Sequence, residues 1–133
     1  MHSDREFKNQ DAPKELTPIN PAVVDELRAT VASDELITII AETFHVLGDP
    51  TRLKILYLLK NQACCVRDLA ILAGVSESAI SHHMRILKTR RIVTPQREGT
   101  TIYYSLSDHH LAPLFQEAEY HADHVYQNDH PHS

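Results

Sequence analysis

The 133-residue chain has no long apolar run, and nothing in it approaches the ~18 consecutive apolar residues that a membrane span requires. Met1 to Glu15 is mostly polar, so no signal peptide is predicted and the expected location is the cytoplasm. Cysteine is scarce. The two present, Cys64 and Cys65, are adjacent, which argues against an ordinary structural disulfide between them. There is no H-E-x-x-H motif, so a metallohydrolase is not indicated. Positive charge is not in excess either. The formal net charge is −5, which at first sight disfavours a nucleic-acid partner.

What is present is unevenly distributed. From Cys64 to Glu98 six basic residues (Arg67, Arg85, Lys88, Arg90, Arg91, Arg97) accompany three acidic ones (Asp68, Glu77, Glu98), a locally basic segment in an acidic chain. Such a face can meet phosphates, though with little long-range steering. Within it the run LAILAGVSESAISHHMRILKTRR, Leu69 to Arg91, reads as helix, tight turn, helix. Val66, Leu69, Ala70 and Ala73 share one face of the first helix. Gly74 can take the left-handed conformation that ends it, and Ser76 is placed to cap the second, with Glu77 at its positive end. Ile80, Met84 and Leu87 point one way; Ser78, Ser81, His82 and Arg85 point the other, with Ser76 and Lys88 at the two ends. Short hydroxyl donors and an arginine on an exposed helix suit a DNA major groove. The same pattern fits a plain two-helix hairpin with a solvated face, so the flanking segments decide.

Upstream, residues 1–17 are charged, proline-bearing and aperiodic, and are expected to form a disordered tail. Residues 18–128 are assigned to one domain and 129–133 to a C-terminal tail. Asn20-Pro21 opens a helix carrying Val23, Val24, Leu27 and Val31. Ser33 or Asp34 caps a second with Leu36, Ile39, Ile40, Phe44 and Leu47, which Gly48 ends; His45 on it is expected at the surface or half-buried. Asp49-Pro50 opens a third, apolar enough (Leu53, Ile55, Leu56, Leu58, Leu59) to be a central core element. After Arg91 the period changes. Ile92 and Val93 begin a strand toward Arg97, Glu98-Gly99 turns, and Thr101 to Leu106 returns with alternation, Ile102, Tyr104 and Leu106 on one face. A hairpin directly after such a helix is a wing, and Arg97 near its tip can reach the phosphate backbone. The fold class expected is mainly α, a winged helix-turn-helix of order α-α-α-α-α-β-β-α.

The last helix is expected from near Ser107 or Asp108 to about Tyr126, with Pro113 distorting its first turn or delaying its start toward Ala112. Leu111, Leu114, Phe115, Ala118 and Ala122 form an apolar stripe for its own domain or a symmetry mate. Histidine is the compositional excess: six of the 10 (His109, His110, His121, His124, His130, His132) follow Asp108. His121 and His124, at i and i+3, share a helix face, a two-ligand arrangement for a metal. Asp108 and His110 form a second pair ~16 Å away along a helix rising ~1.5 Å per residue, too far for ~2 Å ligand bonds to one ion. Two antiparallel terminal helices in a two-fold homodimer bring Asp108 and His110 of one chain to His121 and His124 of the other, giving two equal sites. The alternative is a histidine-rich solvated helix end.

DPTRLKIL, CVRDLA, GVSESAISHHMRILK and REGTTIYYSL, occurring in this order from Asp49 to Leu106, resemble the ArsR/SmtB family of metal-sensing winged-helix repressors. The resemblance implies a cytoplasmic homodimer, not an enzyme, that dimerises through its first and last helices. It also implies binding to operator DNA near metal efflux or sequestration genes and release by metal. It further implies a terminal-helix site of pattern D-x-H then H-x-x-H, matched by Asp108, His110, His121 and His124, as in the zinc-sensing branch. A second family site, built on cysteines at the start of the first helix of the helix-turn-helix, aligns with Cys65 and Asp68. Cys64-Cys65 departs from the usual C-x-C, however, and the N-terminal arm offers only His2, which puts a cadmium or arsenic site in doubt. Three imidazoles and a carboxylate suit Zn2+ first, then Co2+ or Ni2+, for which the tail residues His2, His130 and His132 can add ligands. The alternatives are a metal-independent winged-helix regulator and a soft-metal sensor using Cys64 and Cys65.

Overall fold

A computed structural model describes residues 16–107 and 110–129; Asp108, His109 and most of both tails, with His2, His130 and His132, lie outside the described residues. The chain divides into two units, Met1–Leu47 and Gly48–Ser133.

In the first unit, α1 (Pro21–Arg28) starts where the Asn20 side-chain oxygen accepts the Val23 N–H at 3.3 Å, with Pro21 at a position that needs no N–H. α2 (Asp34–Leu47) is capped by Ser33, whose Oγ accepts the Leu36 N–H at 3.2 Å. The apolar residues expected to face a core are largely at the surface: Val23, Leu27, Leu36, Ile39, Ile40 and Phe44 are all exposed.

The second unit is built around α3 (Pro50–Asn61), started by Asp49, whose Oδ2 accepts the Arg52 N–H at 2.9 Å. Ile55, Leu56 and Leu59 on it are buried, each such side chain contributing about 1.5–3 kcal/mol by leaving water. Next come β1 (Cys64–Cys65), α4 (Val66–Ala73), α5 (Glu77–Thr89), β2 (Val93–Glu98) and β3 (Thr101–Leu106). Leu69 from α4, Ile80, Met84 and Leu87 from α5, and Ile92 and Val93 complete the core. The winged helix-turn-helix expected from sequence is therefore present, with one addition. The sheet has three antiparallel strands in the order β1-β3-β2, Cys64 pairing with Tyr104 and Cys65 with Tyr103. A two-residue strand is too short for any periodicity to betray it. Nor does β3 alternate as expected. Lying between two strands with α3 packed on it, it is half-buried along most of its length, and Ile102 is 36% exposed while Tyr104 and Leu106, expected on the same face, are half-buried.

The last helix, α6 (Leu111–Asp129), begins later than Ser107 or Asp108. Pro113 falls in its first turn, where the N–H lacks an intrahelical acceptor in any case, so the proline is accommodated. α6 meets α3 at Tyr57. The Tyr57 and Phe115 rings stack with centroids 5.1 Å apart, and the Tyr57 hydroxyl donates to the Phe115 carbonyl at 3.3 Å. Burial, reinforced by the Glu119 carboxylate, pushes the Tyr57 hydroxyl above its usual range and keeps it a donor. Beyond Phe115 every residue from Gln116 to Asp129 is exposed, including Ala118 and Ala122 of the expected stripe.

Candidate DNA-reading face and metal-ligating residues

The turn between α4 and α5 is fixed by backbone chemistry. Gly74 sits at φ 72°, and the N–H groups of Gly74 and Val75 both return to the Ala70 carbonyl, closing α4. Two residues later the Ser76 hydroxyl accepts the Ala79 N–H at 3.0 Å and starts α5. An ion pair between Arg67 Nε and Glu77 Oε2, 3.4 Å and largely exposed, joins the starts of the two helices. With Ile80, Met84 and Leu87 buried, helical geometry leaves Ser78, His82, Arg85 and Lys88 exposed and Ser81 half-buried on the opposite side. Arg97 is exposed on β2, opposite Ile102 and one pair from the Gly99 turn. All seven residues expected to meet DNA thus lie on the surface of one unit; the oxygen of Ser76 is also engaged in capping, which leaves its O–H free to donate.

The sequence reading missed one contact that reaches α5 from behind. Arg52 Nη1 lies 3.4 Å from His83 Nδ1, linking the first turn of α3 to the middle of α5. Burial lowers the basicity of His83; the Asp49 carboxylate opposes this, and Arg52 and His82 add to it. His83 is the residue between the buried and exposed stripes of α5, a position whose partner on another helix no periodicity can reveal.

The expected metal ligands are less gathered. His121 and His124 project from the exposed half of α6, and His110 stands exposed just before it. Asp108 lies outside the described residues. Among the described residues no three His, Cys, Asp or Glu side chains come together as a metal site within the chain. At the second location, Cys64 and Cys65 are free thiols, and consecutive strand residues point to opposite faces. The Cys64 S–H donates to the Gln62 carbonyl at 3.5 Å. Burial, with the Asp68 carboxylate and Cys65, raises the Cys64 thiol and holds it protonated. Asp68 itself is exposed in the first turn of α4.

Residues 49–94 match the model of the arsR family of bacterial regulatory proteins. The chain is similar to a transcriptional repressor SmtB homolog of Synechocystis, 46% identical over 67% of this chain and 65% of that one, so the match spans just under two thirds of the relative's length. It is also similar to a cadmium resistance transcriptional regulatory protein CadC homolog of Staphylococcus aureus, 35% identical over 80% of this chain and 88% of that one. Among solved structures, the homodimeric winged helix-turn-helix DNA-binding domain of a possible ArsR-family regulator from Mycobacterium bovis superposes with a TM-score of 0.65. The two are 29% identical, and the match covers 74% of this chain and 92% of that domain.

Proposed function

We propose, from the premise that this chain belongs to the ArsR family of bacterial regulatory proteins, that it is a metal-responsive repressor. Members of this family are DNA-binding transcriptional regulators and not enzymes, and no described helix here is long and apolar enough to cross a membrane. In this reading the repressor is a homodimer. It reads operator DNA with Ser76, Ser78, Ser81, His82, Arg85 and Lys88 of α5, supported by Arg97 on the wing, and leaves the DNA when metal binds.

The observation that carries the metal response is the state of α6. It bears His121 and His124 on an exposed half-helix, while among the described residues of its own chain nothing completes a site around them. A second copy, antiparallel along α6, supplies Asp108 and His110. Three neutral imidazoles and one carboxylate are a borderline donor set that fits tetrahedral Zn2+, with Co2+ or Ni2+ next. Metal bound there supplies a fixed link between two subunits rather than chemistry on a substrate. The exposed apolar residues of α1 and α2, and Tyr120 and Val125 on the distal half of α6, support dimerisation, since a partner subunit would take them out of water. The cysteine location supports a soft-metal reading less well, because its two thiols diverge and that of Cys64 is held protonated.

The deciding experiment is operator binding by the purified protein under a panel of metals (zinc, cobalt, nickel, cadmium, trivalent arsenic), each at controlled free concentration. Zinc-driven release, lost in His121→Ala, is expected. Operator binding indifferent to every metal would leave a metal-independent regulator, and release by cadmium or arsenic that persists in His121→Ala would move sensing to Cys64 and Cys65.

A further inference from the structure

Arg52 and His83 bring together two elements that the DNA-reading role would otherwise leave independent. The guanidinium has donors only and stays charged, so a hydrogen bond across their 3.4 Å contact needs His83 Nδ1 as the acceptor. Such a bond goes with the neutral tautomer that carries its proton on Nε2. Arg52 is itself held in place because its backbone N–H is bonded to the Asp49 carboxylate at the start of α3. His83 sits on α5 next to His82, whose ring centroid lies 5.7 Å away and whose side chain is exposed on the reading face. From this arrangement we infer that Arg52 and neutral His83 form a positioning pair that seats the recognition helix on α3, and that protonation of His83 unseats it and lowers operator specificity.

A protonated imidazole has no lone pair for Arg52 and places a second positive charge against its guanidinium. The charged or titratable groups acting on His83 are Asp49 and Arg52 from α3 and His82 on its own helix. Asp49 alone favours the protonated form. Burial, Arg52 and His82 act against it, so the seat is intact at neutral pH and fails on acidification. The inference rests on α5 being the DNA-reading helix.

The probe is a duplex selected by the wild-type protein from a random-sequence pool, compared with an unselected duplex. The quantity read is the ratio of the two affinities at pH 8 and pH 5.5, because a general change in charge acts on both duplexes alike and cancels in the ratio. Wild type should lose about tenfold in this ratio on acidification, the size of one charge-assisted hydrogen bond. His83→Asn places an amide oxygen near the position of Nδ1 and cannot titrate, so it should keep the wild-type ratio at pH 8 and hold it at pH 5.5. His83→Ala should show the lowered ratio at both. A pH step in His83→Asn equal to wild type, or an undiminished ratio in His83→Ala at pH 8, overturns the proposal. Should His83→Ala fail to fold, nitrogen NMR of the wild-type imidazole serves instead, and finding the proton on Nδ1 at pH 8 overturns it equally. Arg85→Ala separates the two readings. If it binds the selected duplex as wild type does, the recognition-helix assignment has failed; if it weakens binding while the His83 variants do not behave as stated, only the positioning pair has failed.

Discussion

Arg85 and Arg97 are both exposed arginines in the DNA-binding unit, yet their places predict different losses. Arg85 lies on the outward stripe of α5, where a guanidinium reads base edges. Arg85→Ala should cost about 1–3 kcal/mol with the selected operator and little with random DNA. Arg97 lies near the wing turn and suits a phosphate. Arg97→Ala should weaken binding to all sequences alike and make the slope of log affinity against log salt shallower by about 1. Titration of both duplexes between low and moderate salt checks the pair, and equal losses for the two variants would remove the distinction. Asp49 gives a stability prediction at the same scale. The Arg52 backbone N–H holds its carboxyl below the usual 3.8, burial opposes this, and the charges of Arg52 and His83 add to it. A depressed folded value means that stability from this group is fully present above the ordinary value and is lost as pH falls through the lower one. Asp49→Ala should therefore cost about 1 kcal/mol of unfolding free energy near neutrality. The gap from wild type should close only below pH 3.8, as followed by denaturant melts.

Among the elements, the caps and turns were the most legible, because each depends on one or two residues of particular chemistry. Asn20, Asp49 and Ser76 cap the helices expected of them, and Gly74 is left-handed. Gly74→Ala should cost roughly 1–2 kcal/mol through backbone strain alone, since no atom lies within 4 Å of where the new Cβ would sit. A thermal melt unchanged in that variant would deny the turn its role. The two-residue β1 was invisible for want of length, and β3 lost its alternation because its neighbours cover it on both edges while α3 covers a face. The Arg52–His83 contact spans 31 positions and could not be read from local pattern. For α6 the period was right, but the sequence could not say how much of the stripe its own chain would cover. The answer is Phe115 and little beyond it. Phe115→Ala, removing the ring stacked on Tyr57, should cost about 3–5 kcal/mol. It should also loosen α6 from α3, which hydrogen exchange along Leu111–Asp129 would register as protection lost there first.

For the whole molecule, the proposed dimer turns the geometry of α6 into a thermodynamic requirement. Operator DNA asks the two recognition helices to sit about one turn apart, roughly 34 Å. Ligands from both subunits at one ion ask for whatever separation brings the start of one α6 to the end of the other. If these separations differ, metal and DNA weaken each other by the same factor in both directions, because both act on one dimer equilibrium. Measuring the loss of DNA affinity with metal and of metal affinity with DNA tests this: a factor of one in both directions would mean that the sites are not linked, and unequal factors would mean that the dimer dissociates during the titration. The sharper test concerns which chain supplies which ligand. Within one chain, His110 and His121 are separated by eleven residues, most of them in continuous helix, ~16 Å at ~1.5 Å per residue. A shared site is therefore the only way the four groups can reach a single ion at ~2 Å bond lengths. In a heterodimer of one His121→Ala chain and one Asp108→Ala chain, shared sites put both losses into the same site and leave the other whole. Sites built by single chains would both be damaged. One tight zinc per heterodimer, by competition with a chelating dye, is the expected result, together with residual metal-driven release from the operator. No tight zinc in that heterodimer, with one or more bound per wild-type dimer under the same conditions, would refute the antiparallel arrangement of the terminal helices.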